Sequence, residues 1–296
     1  MTIASTTMSV LLSAVKTTLL EYQATTLSKI NTFQRGCLPP TAVFPALAIL
    51  PVRETFIYGL TNGKYEVERE LVIEVYDIKL DSRTSKDNTI NLVKTVKDIF
   101  ADNFEFSDTC YLSNWGYESY GETVSVNRGF LFNSYVSLIC KSREDYESMT
   151  IYNSVESNPS IVTLQNAIVT LLKANKASQY STVETIVDSP ISPIPVFPAI
   201  LVGAGSRSRA QNYPSACVSD VSFDIGVMSQ LFHKETSLNH NLSIVEGVKN
   251  VLQSDYTIGG RCEFSNINYI SYDQEKVPSG FIYNTVLTLG CRTREF

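Results

Sequence analysis

Side chains able to do chemistry are sparse in this chain. Its only two histidines, His233 and His240, both fall in the polar segment LFHKETSLNHN. A general base or a metal centre would need further ligands or an orienting group at fixed spacing, and none stands nearby. The segment is therefore expected to be a solvated loop. GAGSRSRA, from Gly203, has the look of a phosphate cradle. A P-loop, however, continues to Gly-Lys-Ser/Thr and opens a helix, whereas here Pro214 follows and no helical pattern begins. The expectation is a loop presenting Arg207 and Arg209 to a polyanion or a protein. Glu74 and Asp224 are acids at equivalent places in two similar stretches, as are Glu144 and Glu295. No second acid, Lys or His recurs beside them to tune a pKa, so they are expected at the surface. No catalytic, cofactor-binding or metal-binding residue is assigned, and no cofactor is expected.

Those equivalent places come from an internal echo. GFLFNSYVSLICKSRE from Gly129 is answered by GFIYNTVLTLGCRTRE from Gly280. Seven of the sixteen positions are identical: Gly, Phe, Asn, Leu, Cys, Arg and Glu. Average composition would give roughly one. Upstream, CYLSNWGYESY from Cys110 answers CEFSNINYISY from Cys262, with six of eleven identical. INLVKTVKDIFADNF from Ile90 answers LSIVEGVKNVLQSDY from Leu242. VFPALAIL from Val43 answers VFPAILVG, and LVIEVYDI from Leu71 pairs with VSFDIGVM from Val221.

The elements follow from periodicity. Apolar residues at 90, 92, 93, 96, 99, 100 and 104, and at 242, 244, 245, 248, 251, 252 and 256, form a helical stripe in each copy. The VFPA runs read as buried strands, and the Leu71 and Val221 runs alternate as strands do. Thr61-Asn62-Gly63 marks a hairpin turn. A helix opens each copy, over about Met8 to Lys29 and Ile161 to Lys176. Each copy is thus helix, strand, strand, helix, strand, strand. The fold class expected is α+β: two similar tandem domains, each a mainly antiparallel sheet covered by helices. The domains are expected at 1–147 and 161–296, joined by a polar linker at 148–160.

Of the six cysteines, Cys110 with Cys140 and Cys262 with Cys291 lie about equally far from the last turn of their copy, so each pair is expected across a hairpin. Their strand face (Phe130, Phe132, Ser134, Val136, Leu138, and the matching Phe281 to Cys291 set) is apolar, which turns the thiols inward as free core groups. Cys37 and Cys217 have no counterparts. The opening residues lack a basic region followed by an unbroken apolar run, so no secretory leader is expected. Nor is there an apolar stretch long enough to span a membrane. A net charge of −6 with 44% hydrophobic residues argues against both a disordered chain and a dedicated nucleic-acid binder.

Each copy resembles a tail-terminator or tail-completion protein of tailed bacteriophages. The resemblance is carried by the proline-bearing entry and VFPA strand (PTAVFPALAIL, SPIPVFPAILV), the central helix (INLVKTVKDIF, LSIVEGVKNVL) and the charged strand end (CKSRE, CRTRE). It implies a small α+β domain and a purely structural role. A ring would cap the tail tube, stop its growth and join it to the neck or head connector. Because this chain is doubled, the ring would hold three copies in pseudo-six-fold array, or six. The implied partners are the chain itself, the tail tube, sheath and neck proteins, and DNA passing through the lumen, with no membrane. The place implied is the virion, after assembly in the host cytoplasm. Arg143, Glu144, Arg294 and Glu295, at the strand ends, are expected at interfaces between neighbours, and Arg207 and Arg209 at an interface or lining the bore. Two alternatives stand beside this: another neck, sheath-capping or baseplate ring component, or a cytosolic two-domain module for a small ligand.

Overall fold

A computed structural model describes residues 6–58, 64–103, 105–106, 109–121, 123–127, 129–145, 159–188, 196–213, 216–231, 234–277 and 280–295. The Thr61 to Gly63 turn, Phe104, His233 and most of the expected linker lie outside the described residues. The protein is α+β. It divides into two compact units: Met1–Glu54 with Lys64–Glu144, and Thr55–Gly63 with Asp145–Phe296.

In the first unit the order is α1 (Met8–Glu21), β1 (Thr32–Arg35), β2 (Ala46–Ile57), β3 (Lys64–Lys79), α2 (Ser82–Asp102), β4 (Leu112–Tyr120), β5 (Val124–Val126) and β6 (Gly129–Asp145). The sheet runs β4-β6-β3-β2, with β1 added parallel to the start of β2 and β5 paired with β6. In the second unit the order is α3 (Ile161–Ala174), α4 (Lys176–Gln179), β7 (Thr185–Val187), β8 (Ala199–Tyr213), β9 (Ala216–Leu231), α5 (Lys234–Ser254), β10 (Phe264–Val277) and β11 (Gly280–Glu295). Its sheet runs β10-β11-β9-β8-β7. Every neighbouring pair is antiparallel except the last, β7 with β8, which is parallel. Strand for strand, the two orders are the same.

The likeness reaches individual bonds. Each VFPA entry has a cis Phe–Pro peptide, at Pro45 and at Pro198. The Pro45 and Pro198 carbonyls accept from the amides of Asn31 and Glu184, both at 2.8 Å. Thr32 Oγ1 donates to the Val43 carbonyl at 2.9 Å, and Thr185 Oγ1 to that of Val196 at 3.0 Å. Gly129 and Gly280 open the last strands at φ of 130° and 132°, a conformation that side-chain-bearing residues avoid.

The helices form where the stripes require. α2 buries Leu92, Val93, Val96, Ile99 and Phe100, and α5 buries Leu242, Val245, Val248, Val251 and Leu252. Each such side chain contributes about 1.5–3 kcal/mol on leaving water. Facing them, Phe132, Val136, Leu138 and Cys140 of β6, and Phe281, Tyr283, Leu287, Leu289 and Cys291 of β11, are buried at every second position or a multiple of it, although in β6 Ser137 of the opposite face is buried as well. Both helices begin about eight residues before the apolar stripe, because a polar first turn belongs to them as well. At the start of α2, Asp81 caps the helix by accepting from the Thr84 amide at 2.7 Å. α1 ends at Glu21 rather than near Lys29, and the second opening helix breaks into α3 and the single turn of α4.

Candidate functional site

Arg143 and Glu144 end β6 in the first unit, and Arg207 stands on β8 in the second. GAGSRSRA is not a loop: β8 runs straight through it, with one extra residue bulged between Ala204 and Arg207 and another between Arg209 and Gln211. Arg207 is exposed on that strand, and the Arg209 side chain lies outside the described residues. LFHKETSLNHN is not a solvated loop either. From Lys234 onward it is the start of α5. There the His240 ring is half-buried, with Nε2 2.8 Å from Thr182 Oγ1. Burial holds its pKa below the usual histidine value.

The matched acids have parted company. Glu74 is half-buried and accepts from Tyr76 Oη at 2.6 Å. Burial pushes its carboxyl up, against that hydrogen bond. Asp224 is exposed and accepts from Thr288 Oγ1 at 3.0 Å. At the end of β6, Arg143 is exposed and lies 5.0 Å from the Tyr111 ring centroid. Glu144, expected at the surface, is instead buried in the first unit. Its Oε1 takes a short bond from Arg69 Nη2, and its Oε2 accepts from Tyr65 Oη at 2.8 Å. Arg69 also donates to Glu54 at 3.0 Å and to Ser142 Oγ at 2.5 Å, and it is itself only 1% exposed. A guanidinium removed from water must have its donors matched, and two carboxylates with a hydroxyl do this. The Arg294 and Glu295 side chains lie outside the described residues.

The cysteine pairs are neighbours by a different register from the one expected. Ser113 faces Cys140 and Ser265 faces Cys291, while Cys110 and Cys262 precede their strands. The last strands turn back later than the midpoint of each cysteine pair, with Val126 facing Gly129 and Val277 facing Gly280, and a bulge in β4 and another in β10 recover one residue of that offset. All four thiols are buried and free. Hydrogen bonding to Cys110, then burial, raises the Cys140 thiol, while hydrogen bonding to Cys140 lowers Cys110; hydrogen bonding to Cys291, then burial, raises Cys262. Buried as they are, the four side chains pack as small apolar groups.

Sequence reasoning missed a buried polar pair that recurs between helix and sheet. Ser134 donates to Thr89 at 3.2 Å in the first unit, and Thr285 donates to Asn241 at 2.5 Å in the second. The signal was available, as polar residues at one position of two otherwise apolar faces. A pocket of about 390 Å³ in the first unit is lined by Lys29, Asn31, Phe44, Lys79, Asn88 and Asn91, among others. Lys79 stands 3.6 Å from Asp77. Among the described residues no cluster of His, Cys, Asp and Glu could hold a metal ion, and no helix is long and apolar enough to cross a membrane.

The remaining candidate is a surface. β4 ends the strand order of the first unit and exposes Leu112 (37%), Tyr117 (50%) and Tyr120 (46%). Beside it Lys97 of α2 forms a short ion pair with Glu118 and lies 6.0 Å from the Trp115 ring centroid. An exposed sheet edge carrying aromatic residues can bind another strand or another protein surface.

No protein-family model matches this chain, and no curated protein does. Among solved structures it is similar to a chain of the virion of a native gene transfer agent particle. The identity is 14% and the TM-score 0.30, with 44% of this chain and 94% of that chain covered. A likeness of that size decides neither fold nor role.

Proposed function

We propose that this protein is a structural component of a virion, and that it builds a ring of the tail-terminator or tail-completion kind. In this reading an ancestral unit was duplicated in tandem, and each copy of the chain supplies two wedges of the annulus. Three copies make a pseudo-six-fold ring; six make a larger or layered one. One face meets the last ring of the tail tube and the other the neck. The reading assigns the chain no catalytic step.

The observation that carries it is what the two units have in common. They share strand order, proline entry, left-handed glycine and the helix-to-sheet polar pair. Among the described residues, the matched acids Glu74 and Asp224 stand in different surroundings. Duplication that keeps shape and lets reactive groups drift is what a scaffold needs. Arg207 on β8 remains available to the reading as a contact for a neighbour or for DNA in the bore.

Native mass measurement of the purified protein tests this. Trimers or hexamers at micromolar concentration are expected. A strict monomer whose melting point rises with a small metabolite would favour a ligand-binding module instead.

A further inference from the structure

Among the described residues, the second unit contains a segment that has no counterpart in the first. Residues 55–58, at the end of β2, belong to the second unit. There Tyr58 Oη donates to the Ile267 carbonyl in β10 at 2.7 Å. The Phe56 ring lies 5.5 Å from Lys249 Nζ, and Phe56 and Tyr58 stack with centroids 6.4 Å apart. Phe56 and Tyr58 thus lie over Lys249 of α5 and against Ile267 of β10. Under them Lys249 keeps only 3% of its side chain exposed, paired with Glu246 at 3.0 Å.

β4 is the strand of the first unit that corresponds to β10, and Lys97 sits on α2 where Lys249 sits on α5. Uncovered, they look as β10 and Lys249 would without the segment. Lys97 is 31% exposed against 3%. Glu118 is exposed where Ile270 is fully buried, and Trp115 is half-buried where Ile267 is buried. Tyr117 is 50% exposed against 36% for Tyr269.

The donor of the covering segment in the second unit is the end of β2. Its own counterpart is β8, in the β8–β9 hairpin. Past Leu201 no strand pairs with the outer side of β8 among the described residues. Ala204, Gly205, Ser206, Arg207 and Ser208 are exposed there. Among the described residues, each copy therefore presents one acceptor edge with no second strand on it, β4 beside Lys97, and one exposed strand edge that could serve as donor, the outer part of β8.

We propose that β8 of one copy covers the β4 edge and Lys97 of the next, repeating between chains the arrangement that residues 55–58 make on β10. The partner is a second copy of this chain, held by strand addition along an edge. The contact joins two different surfaces, so it runs head to tail and closes into a ring or grows as a filament. It deepens the ring reading and rests on it for self-association, naming the two surfaces that join.

Sedimentation velocity with paired variants tests it. Leu112→Lys with Tyr117→Lys charges the acceptor; Ala204→Lys with Ser208→Lys charges the donor. All four positions are exposed, and Val162→Lys on α3 serves as an exposed control. Wild type and control should assemble. Either charged variant alone should remain monomeric, with affinity weakened at least about 100-fold. Mixing the two variants should give a one-to-one dimer, because one keeps a working donor and the other a working acceptor. A monomeric wild type, assembly of the acceptor variant as in wild type, persistence of dimers in the donor variant through β4 meeting β4, or no dimer on mixing would each overturn the proposal. Open filaments in place of closed annuli would uphold these surfaces while contradicting the ring. Annuli formed by both charged variants would do the reverse.

Discussion

Arg69 makes the heaviest demand on its surroundings of any residue in the first unit. It is buried with Glu54, Ser142 and Glu144 on its donors. Arg69→Leu strands two carboxylates without their cation and should cost about 3–5 kcal/mol by urea denaturation. A loss below about 1 kcal/mol would mean that the carboxylates find water. This network was hidden in the sequence because its members come from three strands. Glu144 and Glu295 match in spacing, but spacing along one strand says nothing of a cation on another. His240 carries a pH prediction. Its folded pKa is depressed by burial, so the neutral ring is favoured in the fold. The stability this adds is complete above the unfolded value of about 6.5 and is lost as pH falls through the folded pKa. Lowering pH from 7.5 to 5.5 should depress the melting point of the wild type more than that of His240→Gln. Equal slopes would contradict the assignment.

Among the elements, the closing strands depend on the glycine that opens them. At Gly129, φ is 130° and an added Cβ would meet the Lys79 carbonyl oxygen at 2.3 Å. Gly129→Ala should destabilise the protein by about 2–3 kcal/mol, read as a shift in chemical-denaturation midpoint. The glycine was legible as part of the echo, and alternation was enough to place β6 and β11 with their buried faces. What escaped notice had weak local signals. β1 and β7 are short and are held by pairing parallel to β2 and β8, which no periodicity marks. The serine- and arginine-rich stretch of β8 was taken for a loop because its composition is that of a loop; pairing with β9 outweighs it. Hydrogen exchange separates the strands further. Amides of β9, flanked by β8 and β11, should exchange much more slowly than those of β4, which has β6 on one side only. Equal protection would show that β4 is covered in solution, as assembly through that edge would make it.

For the molecule as a whole, sequence and structure agree on the α+β class. The structure divides into two units of one strand order, and the echo made their elements legible because a repeated hydrophobic pattern fixes faces and order. The sequence could not reveal that residues 55–58 belong to the second unit, since that depends on where the end of β2 lies and not on its composition. Nor could it show which edges stay uncovered, which is where the self-association argument now rests. Cryo-electron microscopy of the purified protein at assembling concentration addresses the central claim most directly. The account predicts a hollow annulus whose wall shows six similar lobes, or a multiple of six, with two lobes per chain. Particles of one chain only, or an assembly in which the two units of a chain sit in unlike surroundings with no repeating wall, would contradict it.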